Sequence, residues 1–269
     1  MKHTAENKKN FALVTGASSG IGKAIARELA SRGYPVLLVS NEREKLEQTA
    51  TEIRKEFHVD ALPHYADLAG RNAARDLFEY CSAEKLTVSI LVNNAGIFFF
   101  RDVTDTMPER IETMLNLHCY TPTMLCRFFG EQMLQENRTG YMLNMSSIAA
   151  WMMMPGLSMY NATKSYIHCF SRAIRNELYN KGVNVTTVCP GAAATGLYNL
   201  PAKYMKLGIS LGIIMRPEKL AQKALNKMFK RKAEYIPGGL LNRFFIFIIE
   251  VLPEFLVRWI KGKIDAKMK

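Results

Sequence analysis

Tyr160 and Lys164 stand four residues apart in a segment of helical periodicity, so their side chains leave one helix face a turn apart. A free tyrosine hydroxyl ionises at a pH of about 10. An ammonium beside it favours the phenolate, and the pair then becomes an acid–base usable near neutral pH. Ser147, thirteen residues before Tyr160, ends an apolar strand-like segment. A Tyr-x-x-x-Lys pair by itself is usually plain helix surface, so its meaning depends on what accompanies it. Near the N-terminus, Thr15-Gly16-Ala17-Ser18-Ser19-Gly20-Ile21-Gly22 links an apolar run to a helical pattern. Glycines there let the chain turn sharply, and the helix N-terminus aims N–H groups and its dipole at an anion such as a pyrophosphate. The spacing is G-x-x-x-G-x-G rather than the commoner G-x-G-x-x-G.

The elements that must position these residues follow from alternating periodicities. Phe11–Thr15, Val36–Ser40, Ala61–Tyr65, Ile90–Asn93, Tyr141–Met145 and Val183–Cys189 read as buried strands, with a last one at Glu234–Ile236. Ile21–Ser31, Glu42–Phe57, Arg71–Glu84, Pro108–Glu136 and Tyr160–Asn180 read as helices between them. Gly33, Gly140 and Gly182 fall just past helix ends, where a left-handed residue is expected. Strand and helix in regular alternation predict an α/β fold: a single doubly wound domain over residues 1–269, its parallel sheet covered by helices on both faces. Ser147 then lies at the carboxyl edge of the sheet, where such folds bind ligands.

Composition narrows the function. The chain has 269 residues, 48% hydrophobic and 22% charged, with five cysteines and no C-x-x-C pair. A disulfide framework or structural zinc site is not expected, and a reducing, cytoplasmic setting fits. The polar start MKHTAENKKN is unlike a secretory signal. The longest apolar run, Phe244 to Ile249, is too short for a membrane span, which needs about 20 residues. The net charge of +12 is uneven: residues 201–269 carry 15 Lys/Arg against 5 Asp/Glu, and the first 200 residues carry 21 against 19. With no recognition motif and no basic–aromatic interleaving, that charge does not predict nucleic-acid binding.

Together, Thr15–Gly22, Asn93-Asn94-Ala95-Gly96, Asn116, Ser147, Tyr160-Asn161-Ala162-Thr163-Lys164 and Pro190-Gly191 resemble the short-chain dehydrogenase/reductase family, over about residues 9 to 236. The resemblance implies a Rossmann-type sheet of about seven parallel strands and hydride transfer between a nicotinamide and a carbonyl or secondary alcohol. It implies Tyr160 as the proton donor, Lys164 as the group that lowers its pKa and holds the nicotinamide ribose, and Ser147 as the residue orienting the substrate oxygen. Adjacent Ser146 is the fallback for Ser147. Asn116 would complete the tetrad by fixing a water in the proton relay. Gly16, Ser18, Ser19, Gly20, Ile21 and Gly22 would surround the phosphates. Asp67 and Leu68 would meet the adenine, and Asn93, Ala95 and Gly96 the adenosine ribose. Pro190, Gly191 and Thr195 would lie against the nicotinamide.

At the end of the second strand, Ser40 stands where NAD-preferring members usually carry an acid, and Asn41 where NADP-preferring members often carry an arginine. Arg43 or Lys23 could replace that arginine, with Glu42 opposing; NADP(H) is favoured over NAD(H). Met152, Met153, Met154, Phe98, Phe99, Phe100 and an apolar lid at 196–216 predict an apolar acyl, sterol-like or sphingoid ketone or alcohol. Residues 237–269 form a basic apolar extension broken at Pro253. It reads either as a helix covering the core or an oligomer interface, or as a segment meeting a membrane face or anionic carrier. The family resemblance implies a homo-dimer or homo-tetramer through the two long helices. The rival reading is a nucleotide-binding sensor or scaffold without turnover; the retained Tyr160 and Lys164 speak against it.

Overall fold

The computed structural model describes residues 10–194 and 214–268. Strands β1 (Asn10–Thr15), β2 (Val36–Ser40), β3 (Ala61–Tyr65), β4 (Thr87–Asn93), β5 (Gly140–Met145), β6 (Val183–Val188) and β7 (Glu234–Tyr235) form one parallel sheet in the order β3-β2-β1-β4-β5-β6-β7. The inner strands are buried on both faces, as their continuous apolar runs require. Helices are α1 (Gly20–Ser31), α2 (Arg43–Phe57), α3 (Ala73–Ala83), α4 (Pro108–Leu115), α5 (Thr121–Gln135), α6 (Ser158–Leu178), α7 (Pro217–Phe229), α8 (Gly239–Glu250) and α9 (Glu254–Met268).

Alternation along each strand divides the core. Ala12 and Val14 pack under α1, α2 and α7, while Phe11 and Leu13 pack under α3, α5 and α6. The chain builds outward from β1 through β2 to β3, then returns to β4 on the other side of β1. That reversal opens a crevice at the carboxyl ends of β1 and β4, where Gly16 and Asn94 emerge.

Two expectations are corrected. The single helix expected over Pro108–Glu136 is α4, a five-residue π-type turn at Asn116–Tyr120, and α5. Pro122 is the reason: it has no N–H to offer the preceding turn, and its ring crowds the carbonyl four residues back, at His118. The turn widens, and the Thr121 N–H donates to the Asn116 carbonyl. Gly140 does not end a helix. It starts β5, and the left-handed residue after α5 is Asn137, at φ 48°. What Gly140 supplies is space, since a Cβ there would sit 2.3 Å from Met133 Sδ. Gly33 and Gly182 do take left-handed angles, both at φ 84°. The break at Pro253 separates α8 from α9 as expected. Thr195 and nearly all of the expected lid lie outside the described residues. Among the described residues, no helix is long and apolar enough to cross a membrane.

Candidate active site

A cleft of about 480 Å³ crosses the carboxyl edge of the sheet, lined from Ser40, Asn41 and Glu42 at one end to Tyr160, Lys164, Pro190 and Gly191 at the other. From β2 to β6 it crosses four strand spacings, roughly 19 Å. Gly16 (φ 66°) and Gly20 (φ 55°) make the turn out of β1 with angles that side chains rarely allow. Helix α1 then begins with its N-cap residue, Ser19, making no side-chain capping bond and with no acid in its first turn. Its N–H groups and dipole are therefore left for an anion in the cleft. Gly22 faces the packing side of this turn and not the cleft; a Cβ on it would lie 2.0 Å from the Gly16 carbonyl oxygen.

At the opposite end, α6 presents Tyr160 and Lys164, each 6% exposed, into the cleft. The Lys164 ammonium donates to the Met145 carbonyl at 3.1 Å and sits 5.5 Å from the centre of the Tyr160 ring. Burial pulls the Lys164 ammonium down to about 8, because the charged form has lost its water. Ser146 and Ser147 both line the cleft. Ser146 Oγ donates to the Lys164 carbonyl at 2.8 Å, tying β5 to α6. Ser147 Oγ donates to the Pro190 carbonyl at 3.3 Å and accepts from the Ala149 N–H at 3.1 Å. That longer contact leaves Ser147 the freer hydroxyl to turn towards a ligand. Phe98 meets the Tyr160 ring edge-on at 5.0 Å, and Ile97, Phe99, Met152 and Met159 pack in the same apolar cluster, from which Ile97 reaches the cleft lining.

The other expected site residues fall in several places. Ser18, Ser19, Ile21, Asn41, Asp67, Leu68, Ala95 and Gly96 line the cleft with those already named. Asn116 lies outside the lining: its side-chain N–H donates to the Ala69 carbonyl at 3.0 Å, and its own carbonyl receives the π-turn bond. Asn93 is buried behind the lining, donating to Asn144 Oδ1 at 2.9 Å. Arg43 stacks on Tyr65 at 4.6 Å in a neighbouring shallow groove, and Lys23 pairs with Glu52 at 2.8 Å. Neither faces the main cleft. Among the described residues, the cation at the β2 end of the cleft is Lys45, paired with Glu42, and Glu42 also accepts from Ser18 at 2.7 Å. Those two hydrogen bonds, Lys45 first, hold the Glu42 carboxyl below its ordinary pKa, so it is ionised at neutral pH.

His118 is the residue that sequence reasoning missed. It is 3% exposed in the π-type turn, lines the cleft, and joins three elements. Its Nε2 accepts from the Ile97 N–H at 2.9 Å, so Nδ1 carries the proton and donates to Thr163 Oγ1 at 3.0 Å. Thr163 in turn donates to the Tyr160 carbonyl at 2.9 Å. Burial, with the Lys164 charge second, pushes the imidazole pKa well below its ordinary value and keeps it neutral. Its spacing two residues after Asn116 was visible, but only the π-type turn aims it at α6. His118→Leu leaves the Ile97 N–H unpaired in a partly buried place. It is expected to cost about 2 kcal/mol, lowering Tm by roughly 4–8 °C. The same change is expected to reduce kcat about tenfold with little change in KM, because a loosened α6 misplaces Tyr160. His118→Gln, able to accept and donate in the same directions, should recover part of both losses.

A family model described as short chain dehydrogenase matches residues 10–203. Over 192 residues the chain is 38% identical to a very-long-chain 3-oxoacyl-CoA reductase of Anas platyrhynchos, covering 69% of this chain and 60% of that protein. It thus spans less than two thirds of that relative's length. A solved short-chain dehydrogenase from Sphingobium yanoikuyae in complex with NADPH superposes with a TM-score of 0.78 at 27% identity, covering 88% of this chain and 92% of that one. A 7beta-hydroxysteroid dehydrogenase superposes with a TM-score of 0.82 at 26% identity, covering 93% and 96%. The strand order, the glycine turn, the Tyr160–Lys164 pair and these likenesses agree, and the chain belongs to the short-chain dehydrogenase family.

Proposed function

We propose that the chain is a nicotinamide-dependent carbonyl reductase, run in reverse as an alcohol dehydrogenase, that prefers NADP(H) and acts on an apolar ketone of the 3-oxoacyl thioester class. The observation that carries this reading is the buried Tyr160–Lys164 pair beside Ser147, at the apolar end of a cleft whose other end is a bare helix N-terminus. The cleft fits a dinucleotide: the α1 turn takes a diphosphate without side-chain obstruction, and the space between β2 and β6 is continuous. Gly16, Ser19, Gly20 and Ile21 would hold the diphosphate, Asp67 and Leu68 the adenosine end, and Lys164, Pro190 and Gly191 the nicotinamide end.

Lys164, Pro190 and Gly191 would hold a nicotinamide whose chemistry there would be donation of a hydride to a carbonyl carbon. Ser147 turns its hydroxyl from Pro190 to the substrate oxygen and polarises it. Tyr160 gives its hydroxyl proton to that oxygen as the carbon is reduced, so the ketone leaves as a secondary alcohol. The Lys164 ammonium stabilises the phenolate left behind until it takes a proton back from solvent. Asn116 acts on this relay from outside the cleft, through the Ala69 bond and the widened turn that carries His118. Ile97, Phe98 and Met152 offer apolar surface and few fixed hydrogen-bonding groups, which suits an acyl chain better than a sugar. The 3-oxoacyl-CoA reductase likeness supports that class. The NADP(H) preference rests on Ser40 in place of an acid and on Lys45 in the lining. A homo-oligomer through the α4–α6 face belongs to the same reading, supported by exposed Leu115, Tyr120 and Tyr166.

The test is kcat/KM with both cofactors against a panel of ketones. The expected result is roughly a hundredfold preference for long-chain 3-oxoacyl thioesters over small polar ketones, about 3 kcal/mol of transition-state binding. NADPH should exceed NADH by about tenfold, since one charge-assisted contact is worth that much. High activity confined to small polar ketones, or an equal or better value with NADH, overturns the corresponding half.

A further inference from the structure

We infer that α8 and α9 form a docking face for the surface of an anionic lipid bilayer. The first observation is an apolar stripe turned outward. Phe244, Phe247, Ile248 and Val251 follow helical spacing on α8 and its last turn, and all are exposed. Phe255, Leu256 and Trp259 do the same on α9. Large aromatics at about three-fifths exposure, Phe244, Phe247, Phe255 and Trp259, are uncommon on a surface that meets only water.

Two anchors show that the stripe is held outward by packing. Ile246, on the opposite side of α8, is 7% exposed and packs with Cys189, Ile236 and Trp151, while Arg243 reaches Glu234 at 3.3 Å. On α9, Lys261 pairs with Asp102 at 3.3 Å and stands over the Phe100 ring at 5.8 Å. Both anchors land on segments that adjoin the apolar end of the cleft, the Ile148–Trp151 turn and the Phe98–Asp102 loop. With one face of α8 committed to the protein, its outward face needs a second partner.

Charge decides which partner. Arg243, Arg258 and Lys263 are exposed beside the stripe, and residues 239–269 carry 6 Lys/Arg against 3 Asp/Glu. A second copy of the chain would set two such basic regions together, whereas anionic headgroups complement them. Trp259 and the aromatic Phe side chains suit the headgroup boundary. The 12 residues of α8 span about 18 Å, short of the hydrocarbon thickness, so the helix lies on the bilayer and does not cross it. The apolar end of the cleft then stands near the lipid, which suits an acyl substrate; that last consequence alone rests on the proposed activity.

The test is co-sedimentation of the full chain with vesicles of phosphatidylcholine alone and of phosphatidylcholine mixed with phosphatidylglycerol, read by bound protein and not by turnover. Binding is expected with the anionic vesicles and should weaken as salt screens the headgroups. The double variant Phe247→Ser with Trp259→Ser should bind at least roughly tenfold more weakly. Arg258→Glu with Lys263→Glu should lose the preference for anionic vesicles. Circular dichroism and turnover of a water-soluble ketone verify that both variants fold. Three results overturn the inference: no binding of the intact chain, equal binding of the variants, or a solution dimer that the Phe247/Trp259 variant dissociates while vesicles bind nothing. Failure here leaves the ketone assay unaffected, so the two readings fall separately.

Discussion

Tyr160→Phe is expected to lower kcat roughly 10³-fold, about 4 kcal/mol in the barrier, while cofactor affinity stays within about twofold. The substitution removes one oxygen and keeps the ring. That ring is held edge-on by Phe98 at 5.0 Å and by His118 at 5.8 Å, and neither contact uses the hydroxyl. The shape of the cleft therefore survives, and what disappears is the proton donor. Stopped-flow single turnover reads the chemical step, and quenching of tryptophan fluorescence reads cofactor binding. A variant that still turns over within a few-fold of the natural chain would remove Tyr160 from the mechanism. Equal loss of turnover and cofactor binding would make it a structural residue.

Gly22→Ala is expected to weaken cofactor binding roughly a hundredfold and to lower stability by about 3 kcal/mol, or roughly 6–12 °C in Tm. The added Cβ would lie 2.0 Å from the Gly16 carbonyl oxygen and 2.6 Å from Asn94 Nδ2. The nearer neighbour is backbone and cannot rotate away. Either α1 moves off the sheet or the Gly16 turn opens, and each disturbs the N–H groups that would receive a diphosphate. Gly33→Ala is the control. Nothing lies within 4 Å of its Cβ, and only the left-handed angle of 84° opposes it. It should cost about 1 kcal/mol and leave cofactor affinity unchanged. Calorimetry and titration of both variants separate crowding from backbone strain.

The alternation of strand and helix was legible because the central strands β1, β2 and β4 are mostly apolar runs and the helices packed on them carry apolar stripes, and both patterns survive into the two cores. The phosphate turn and the Tyr160–Lys164 pair were legible for a local reason: their geometry depends on neighbours within one or two turns. What escaped depends on contacts far apart in the chain. Pro122 was visible, yet its effect at His118 is a widened turn whose value appears only when Ile97 and Thr163 meet the imidazole. No motif singles out Lys45 in the sequence; the packing of α2 brings it to the cleft and leaves Arg43 outside on Tyr65. Trp151 lies between Ser147 and Tyr160 in the sequence, and nothing local shows where it packs. In the fold it packs beneath Ile246 and meets the His168 ring at a tilt of 57°, centroids 4.6 Å apart, so it braces the C-terminal helix.

The central claim is that this cleft reduces a ketone, with Tyr160 supplying the proton. Its most direct measurement is transfer of label from NADPH deuterated at the transferable position to a long-chain 3-oxoacyl thioester, followed by mass spectrometry of the product. The expected result is a 3-hydroxyacyl product carrying a single deuterium on the carbinol carbon, formed in step with cofactor oxidation and absent from Tyr160→Phe. Tight cofactor binding with no labelled alcohol from any ketone would contradict it, and would make the chain a nucleotide-binding scaffold.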